Sequence, residues 1–394
     1  MRSIELKTVK GGICVKIVIS MDSFKGSLSA HEAGGAVREG ILRVYPEAFA
    51  EVLALADGGE GTAEAIVSAT GGTWETVTVS DPLGRPITAR YGVTDGRTVV
   101  MEMAEASGLT LLRKEERDPM KASTYGFGEL IADAIGKGYR DFVIGIGGSA
   151  TNDGGIGMLT ALGFEFKDKS GAPVSHGAIG LRDLASIETE NALSSLSECR
   201  FTVASDVKNP LCGRNGCSAV FAPQKGATAD DIAVMDAWLS RYAALTAERL
   251  GRDVSVCEGS GAAGGVGFAL RAYLNATLRS GAETVMEATS LEEKIRYADI
   301  LVTGEGKLDF QSNMGKAPVE AARLAKRYGK RVIAFAGSVG DFAEEGEHLI
   351  DAFFPIVSGP CSLDEAMDKE TACRNTARAA EQAFRLLKAF DAIK

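Results

Sequence analysis

At 394 residues the chain is long enough for two domains with sizeable buried cores. Its 45% hydrophobic and 24% charged content is that of a globular protein, and a net charge of −10 argues against a nucleic-acid or anionic-membrane surface, where basic stripes are expected. No apolar run approaches the roughly 18 residues of a membrane span. An anionic substrate must therefore be drawn in by a local cluster of Lys, Arg and backbone N–H groups.

Met1 to Gly12 reads as an extension without the apolar core of a secretory signal. The seven cysteines are scattered, and only Cys212 and Cys217 lie close together, at a spacing poor for zinc. Reduced thiols in the cytoplasm are expected. With three histidines, each in a polar setting, histidine-based catalysis is not expected either.

In chain order, Lys16–Ser20 reads as a buried strand, followed by the polar loop Asp22-Ser-Phe-Lys-Gly-Ser-Leu-Ser29. Ser29 with Glu32 forms an S-x-x-E capping box for a helix that runs to about Val44. Lys25 with Gly26 and Ser27 just before that helix suits an anion, although no Walker A sequence occurs. Glu51–Ala56 predicts a second strand, ending in Asp57-Gly-Gly-Glu60-Gly and a helix to Thr70. Asp57 and Glu60 could share a magnesium ion through water, or simply cap that helix.

From Thr73 to Leu112 the texture changes to alternating stretches broken by Asp81-Pro-Leu-Gly84 and Asp95-Gly96, which predict β-hairpins. Arg85 in the PLGRP turn is a candidate carboxylate clamp. A helix near Thr124–Ile135 precedes the richest stretch, DFVIGIGGSATNDGGIGMLTALG at Asp141–Gly163. It reads as a buried strand, a small-residue loop and a helix from about Gly154, whose N-terminus and bare N–H groups would favour a phosphate or carboxylate. Gly145-x-Gly147-x-x-Ala150 also fits a dinucleotide fingerprint, as does Gly259-x-Gly261-x-x-Gly264, so NAD binding is the rival reading.

Residues 163–199 carry little signal. Arg200–Ala204 predicts a strand ending at Asp206, where open α/β sheets place working residues. Lys225 is expected to be exposed ahead of a long helix, Ala229–Leu250. Around Ala288 the strand–helix rhythm returns, with a strand Asp299–Val302 ending in a Thr303–Asp309 loop, a helix from about Pro318, strands Arg331–Ala336 and Ala352–Val357, and a last helix to about Phe390. The expected fold is α/β: a Rossmann-like doubly wound domain (13–75 plus 288–394) interrupted by a second α/β domain with hairpins (76–287). In a doubly wound sheet the carboxyl ends of the strands share one edge, so several strand-end loops should face one cleft.

Eight ordered motifs then carry a resemblance. DSFKGSLSA (Asp22–Ala30), ADGGEGT (Ala56–Thr62), DPLGRP (Asp81–Pro86), RDPMKASTYGFGELI (Arg117–Ile131), GGSATNDGG (Gly147–Gly155), SDVKNPLCG (Ser205–Gly213), FAPQKGA (Phe221–Ala227) and TGEGKLDFQS (Thr303–Ser312) resemble the bacterial glycerate kinase family. Ala54, where the family often has proline, and Ser123, where threonine is usual, are small departures. The resemblance implies ATP-dependent, magnesium-assisted phosphorylation of D-glycerate in the cytoplasm, with 2-phosphoglycerate the favoured product, and two α/β domains with the active site in the cleft between them. Self-association into a homo-oligomer stays open, as do an NAD-dependent hydroxy-acid dehydrogenase and a non-catalytic glycerate sensor.

Chemistry assigns the roles. Lys25, Ser23, Gly26, Ser27, Gly147, Gly148, Ser149, Glu305, Lys307 and Asp309 are expected to hold phosphate and nucleotide. Asp57 and Glu60 are expected to hold magnesium. Asp153 or Asp206 would take the hydroxyl proton, and Arg85, Asn152 and Lys225 would bind glycerate.

Overall fold

A computed structural model describes residues 8–9, 12–13, 15–309, 316–340 and 348–391. The expected 1–12 extension is covered only in part, by a short antiparallel pair of Thr8–Val9 with Gly12–Ile13. Residues 310–312 of the TGEGKLDFQS motif lie outside the described residues. No described helix is long and apolar enough to cross a membrane.

The chain divides into two compact units. The first comprises residues up to Asp57, Glu64–Ala69 and Ala282 onward; the second comprises Gly58–Ala63 and Thr70–Gly281.

The first unit is built on a five-stranded, all-parallel sheet in the order Ala352–Pro355, Arg331–Val339, Ile300–Leu308, Lys16–Met21, Phe49–Ala54. A sheet buried on both faces needs apolar residues in succession, and KIVIS and VIAFA supply them. Ile17, Ile19 and Met21 enter one core with Val37, Ile41 and Phe384, while Val18 enters the other with Leu301 and Leu324. The strand order reverses between Lys16–Met21 and Ile300–Leu308, the switch point where α/β sheets receive ligands at the carboxyl ends of their strands.

One element departs from expectation here. Thr303–Leu308 is strand rather than loop, because Ile300–Leu308 pairs with Arg331–Val339 as far as Leu308 opposite Val339, beyond the end of its ladder with Lys16–Met21. Glycines at 304 and 306 disguised a ladder that only the partner strand defines.

The helix Ala30–Val44 begins at the expected Ser29–Glu32 capping box and packs against the last helix, Lys369–Asp391. The close approach is permitted by Gly40, where a Cβ would overlap the Ala377 carbonyl oxygen.

The second unit has a six-stranded sheet in the order Thr277–Arg279, Arg200–Ala204, Asp141–Gly145, Thr98–Glu102, Pro86–Thr94, Thr73–Ser80. Its first four strands are parallel, and the hairpin strands complete it antiparallel, so hairpins and strand–helix units share one sheet. Glu102, Gly145 and Ala204 come into register at one edge. The stretch 163–199, which carried little signal, contains a small hairpin of Glu165–Lys167 with Ser186–Glu188.

Replacing Gly40 by alanine sets a helix-propensity gain of about 1 kcal/mol against an overlap with backbone that only helix displacement relieves. The overlap should win, with Gly40→Ala losing about 1–3 kcal/mol of stability. Chemical denaturation checks this through a lowered midpoint.

Candidate functional site

At the switch point of the first unit, Asp22 directly follows the strand Lys16–Met21. Its backbone N–H donates to the Gly304 carbonyl at 2.8 Å, and its Oδ1 accepts the Ser23 N–H at 2.6 Å. Only 4% exposed, Asp22 is pushed up to about 7 by burial and then by the nearby charge of Asp57, against the pull of the Ser23 N–H and Lys25. Lys25, on the exposed loop, stands 3.7 Å from Asp57. Buried Glu305, from the neighbouring strand, pairs with Lys316 at 2.9 Å. Further along that strand, Lys307 pairs with Asp309 at 3.0 Å. The buried hydroxyls of Ser23 and Ser27 have no hydrogen-bond partner among the described residues. Gly26 is exposed in a left-handed turn of this loop. Asp22, Ser23, Lys25, Gly26, Ser27, Asp57 and Glu305 are thus brought to one edge of one sheet. Among the described residues no group of three or more acidic, histidine or cysteine side chains is already arranged as a metal cage.

In the second unit, the segment Gly58–Ala63 lies across the carboxyl ends of three strands. Side chains would block it. A Cβ on Gly58 would come within 2.5 Å of the Ala204 carbonyl oxygen, and one on Gly147 within 2.5 Å of the Gly59 Cα. The Gly147 N–H donates to the Gly58 carbonyl at 3.3 Å. Glu102 closes the third side, accepting the Ala63 N–H at 2.8 Å and the Gly61 N–H at 3.3 Å. Burial pushes its carboxyl up to about 7, against those two donors. Glu60 is exposed on this segment. Glu102 was not foreseen: its signal is an acid ending the apolar strand Thr98–Glu102.

The loop after Asp141–Gly145 differs from expectation. Its helix is Ile156–Ala161, six residues long, and its N-terminus is not open to a ligand. Asp153, fully buried, fills it: Oδ1 accepts the Gly155 N–H at 3.0 Å, and Oδ2 accepts the Thr124 N–H and hydroxyl, both at 2.9 Å, and the Gly157 N–H at 3.4 Å. Thr124 Oγ in turn accepts the Met158 N–H at 2.8 Å. The sequence reading made Asp153 a candidate base; the geometry makes it the loop's internal anchor. Burial pushes its carboxyl above the ordinary range even against these donors.

Other expectations shift for similar reasons. Asn152, offered to substrate, is fully buried with its Nδ2 donating to Ser218 Oγ at 2.8 Å. Lys225, expected on the surface, is 2% exposed, and its ammonium donates to Ser149 Oγ at 2.7 Å and the Thr151 carbonyl at 2.6 Å. Arg85, the candidate clamp, staples its own turn: Nε donates to buried Asp81 at 2.5 Å and Nη1 to Glu116 at 2.8 Å. The Gly147 N–H, counted as a phosphate donor, is spent on Gly58. The dinucleotide reading weakens too, since no helix opens at Ala150. Gly148 remains exposed and left-handed, and Ser149 keeps a small exposed fraction. Asp206 stands half-buried at the same edge, its Oδ1 accepting the Gly281 N–H at 3.1 Å.

Comparison with known proteins then bears on this geometry. Residues 17–388 match the glycerate kinase family. The chain is 45% identical over 368 residues to a glycerate kinase of Halalkalibacterium halodurans, covering 92% of this chain and 97% of that one. It is 45% identical to a glycerate 2-kinase of Escherichia coli over 354 residues, covering 89% and 93%. A solved crystal structure, assigned as glycerate kinase 2 of Salmonella typhimurium, superposes with a TM-score of 0.85 at 45% identity, covering 96% of this chain and 99% of that one.

A carboxylate that only accepted a substrate proton could be neutralised without harm to the fold. For Asp153 we expect the opposite: Asp153→Asn turns an amide NH2 toward N–H donors and should lose about 2–4 kcal/mol of stability. Thermal unfolding of purified Asp153→Asn reads this; an unchanged melt would contradict the anchoring role.

Proposed function

The chain belongs to the glycerate kinase family, and from that membership we propose that it transfers the γ-phosphoryl group of ATP to D-glycerate, giving ADP and phosphoglycerate, with the 2-hydroxyl the favoured acceptor. The observation that carries the reading is the family match over residues 17–388, which spans the charged strand-end loops described in both units. A dehydrogenase reading gains no support from these comparisons.

In the first unit, the loop of Ser23, Lys25, Gly26 and Ser27 supplies a cation and hydroxyls for phosphate oxygens, and exposed Lys307 offers a second cation nearby in sequence to Asp309. Phosphoryl transfer needs little else from the protein than such positioning and charge. The carboxyls of Asp22, Asp57 and Glu305 fit magnesium: they are hard oxygen donors, and burial and mutual repulsion already disfavour ionisation of Asp22. Glu60, which the sequence paired with Asp57 for that metal, is exposed on the second unit. Magnesium, when bound, neutralises charge on the nucleotide phosphates.

In the second unit, Asp206 suits the acceptor. Its carboxylate, oriented by the Gly281 N–H, takes the proton of the glycerate hydroxyl as that oxygen forms its bond to the γ-phosphorus and the bond to ADP breaks. Arg85 and Asn152, expected to bind glycerate, already donate to Asp81 and Glu116 and to Ser218. Consistent with a cytoplasmic, ATP-consuming enzyme, the described cysteines are all free thiols.

A coupled assay with ATP, magnesium and a panel of hydroxy acids tests the reading. ADP should form when D-glycerate is added and not otherwise; a nicotinamide-dependent absorbance change would overturn it. Asp206→Asn should lower kcat by about 10²–10⁴ while leaving ATP binding intact, and near-normal turnover would sink the assignment of the base.

A further inference from the structure

We infer that Lys225 is a positioning residue for the substrate's carboxylate and acts on it through the hydroxyl of Ser149. The inference rests on the glycerate kinase reading and deepens it.

Lys225 lies in the turn Pro223–Lys225 and is among the largest fully buried side chains of the protein. Its ammonium donates to Ser149 Oγ and the Thr151 carbonyl, and no described carboxylate lies within ion-pairing distance. A buried charge without a counter-charge is costly. Ser149 and Thr151 are neutral, and Asp153, which attracts the ammonium from beyond ion-pairing distance, is taken up by its own four donors, so the cost is only partly offset. A bound anion would offset the rest.

The loop beside it is made to receive one. Leu109 N–H donates to the Gly148 carbonyl at 2.8 Å and Ala150 N–H to the Ser107 carbonyl at 2.9 Å, so the loop is strapped on both sides of Ser149. Between these straps the N–H groups of Gly148 and Ser149 have no acceptor among the described residues. Because Ser149 Oγ accepts from Lys225, its own proton points elsewhere. Two N–H groups and one hydroxyl proton, backed by a single buried cation, suit a carboxylate monoanion. A nucleotide's triphosphate carries several charges and calls for more than one cation. Lys225 itself is too buried to reach the ligand.

The direction of the Ser149 hydroxyl depends on the lysine's proton. Burial pushes Lys225 down to about 8; the groups facing it are the buried Cys217 thiol, itself pushed up to about 12, and Asp153, held by its own four donors. Below pH about 8 the ammonium donates and Ser149 donates outward. Above it, the neutral amine can accept the Ser149 proton, and the outward donor is lost.

Steady-state kinetics test this on the full chain. Ser149→Ala and Lys225→Met should each raise KM for D-glycerate about tenfold or more, with KM for ATP unchanged. The double variant should be no worse than Ser149→Ala alone, because the lysine works through the serine. In the unmodified protein KM for glycerate should climb as pH passes about 8, and in Ser149→Ala that climb should vanish. Circular dichroism checks the fold of Lys225→Met; should that variant not fold, the Ser149→Ala pH profile decides. Additive losses, a rise in KM for ATP instead, or an unaltered pH profile in Ser149→Ala would overturn the inference. Failure of the unmodified protein to phosphorylate glycerate would instead overturn the kinase reading on which it rests.

Discussion

A carboxylate sealed inside the second unit decides what the GGSATNDGG loop can offer to solvent. Asp153 takes donors from Thr124, Gly155 and Gly157, and in doing so ties the loop, the following short helix and the helix beginning at Tyr125 into one piece. Hydrogen bonds to a charged group are worth about 1.5–3 kcal/mol each, and burying an ion costs several kcal/mol, so the arrangement holds because the donors are several. Every donor given to Asp153 is withheld from a ligand. Upstream, the N–H groups of Gly148 and Ser149 are left without an acceptor among the described residues.

Glycine does a different job along the same edge. At Gly58 and Gly147 the need is for backbone to lie against backbone, with the Gly58 carbonyl accepting the Gly147 N–H. Glu102 then takes the N–H groups of Gly61 and Ala63. Loop, strand end and helix start are held by these contacts, while Glu60 stays exposed and Asp206 half-buried. In the first unit the corresponding edge is organised by strand order: the sheet reverses direction of growth beside Lys16–Met21, and Asp22 and Glu305 fall on either side of the reversal.

Much of this was readable beforehand, and the reasons are local. The capping box of Ser29 and Glu32, the helix Ala229–Leu250 and the parallel strands around Ile17 follow from residue chemistry within a few positions. Ordered motifs identified the family. What misled were residues whose partners are far along the chain. Lys225 looked like a surface lysine because Ser149 is distant in sequence. Arg85 looked like a clamp because Glu116 is not adjacent to it. Thr303–Leu308 looked like a loop because its strand partner begins at Arg331.

By itself, then, the order of amino acids determined the α/β class, the family and the set of charged loops, since periodicity, caps and motif order are properties of neighbouring residues. The tertiary structure alone decided which of those polar groups are buried and spent on the fold, as with Asp153 and Asn152, and which keep some exposure, as with Lys25 and Asp206. Burial and hydrogen-bond partnership are set by segments tens of residues apart, and the energy that fixes a polar group's role depends on them.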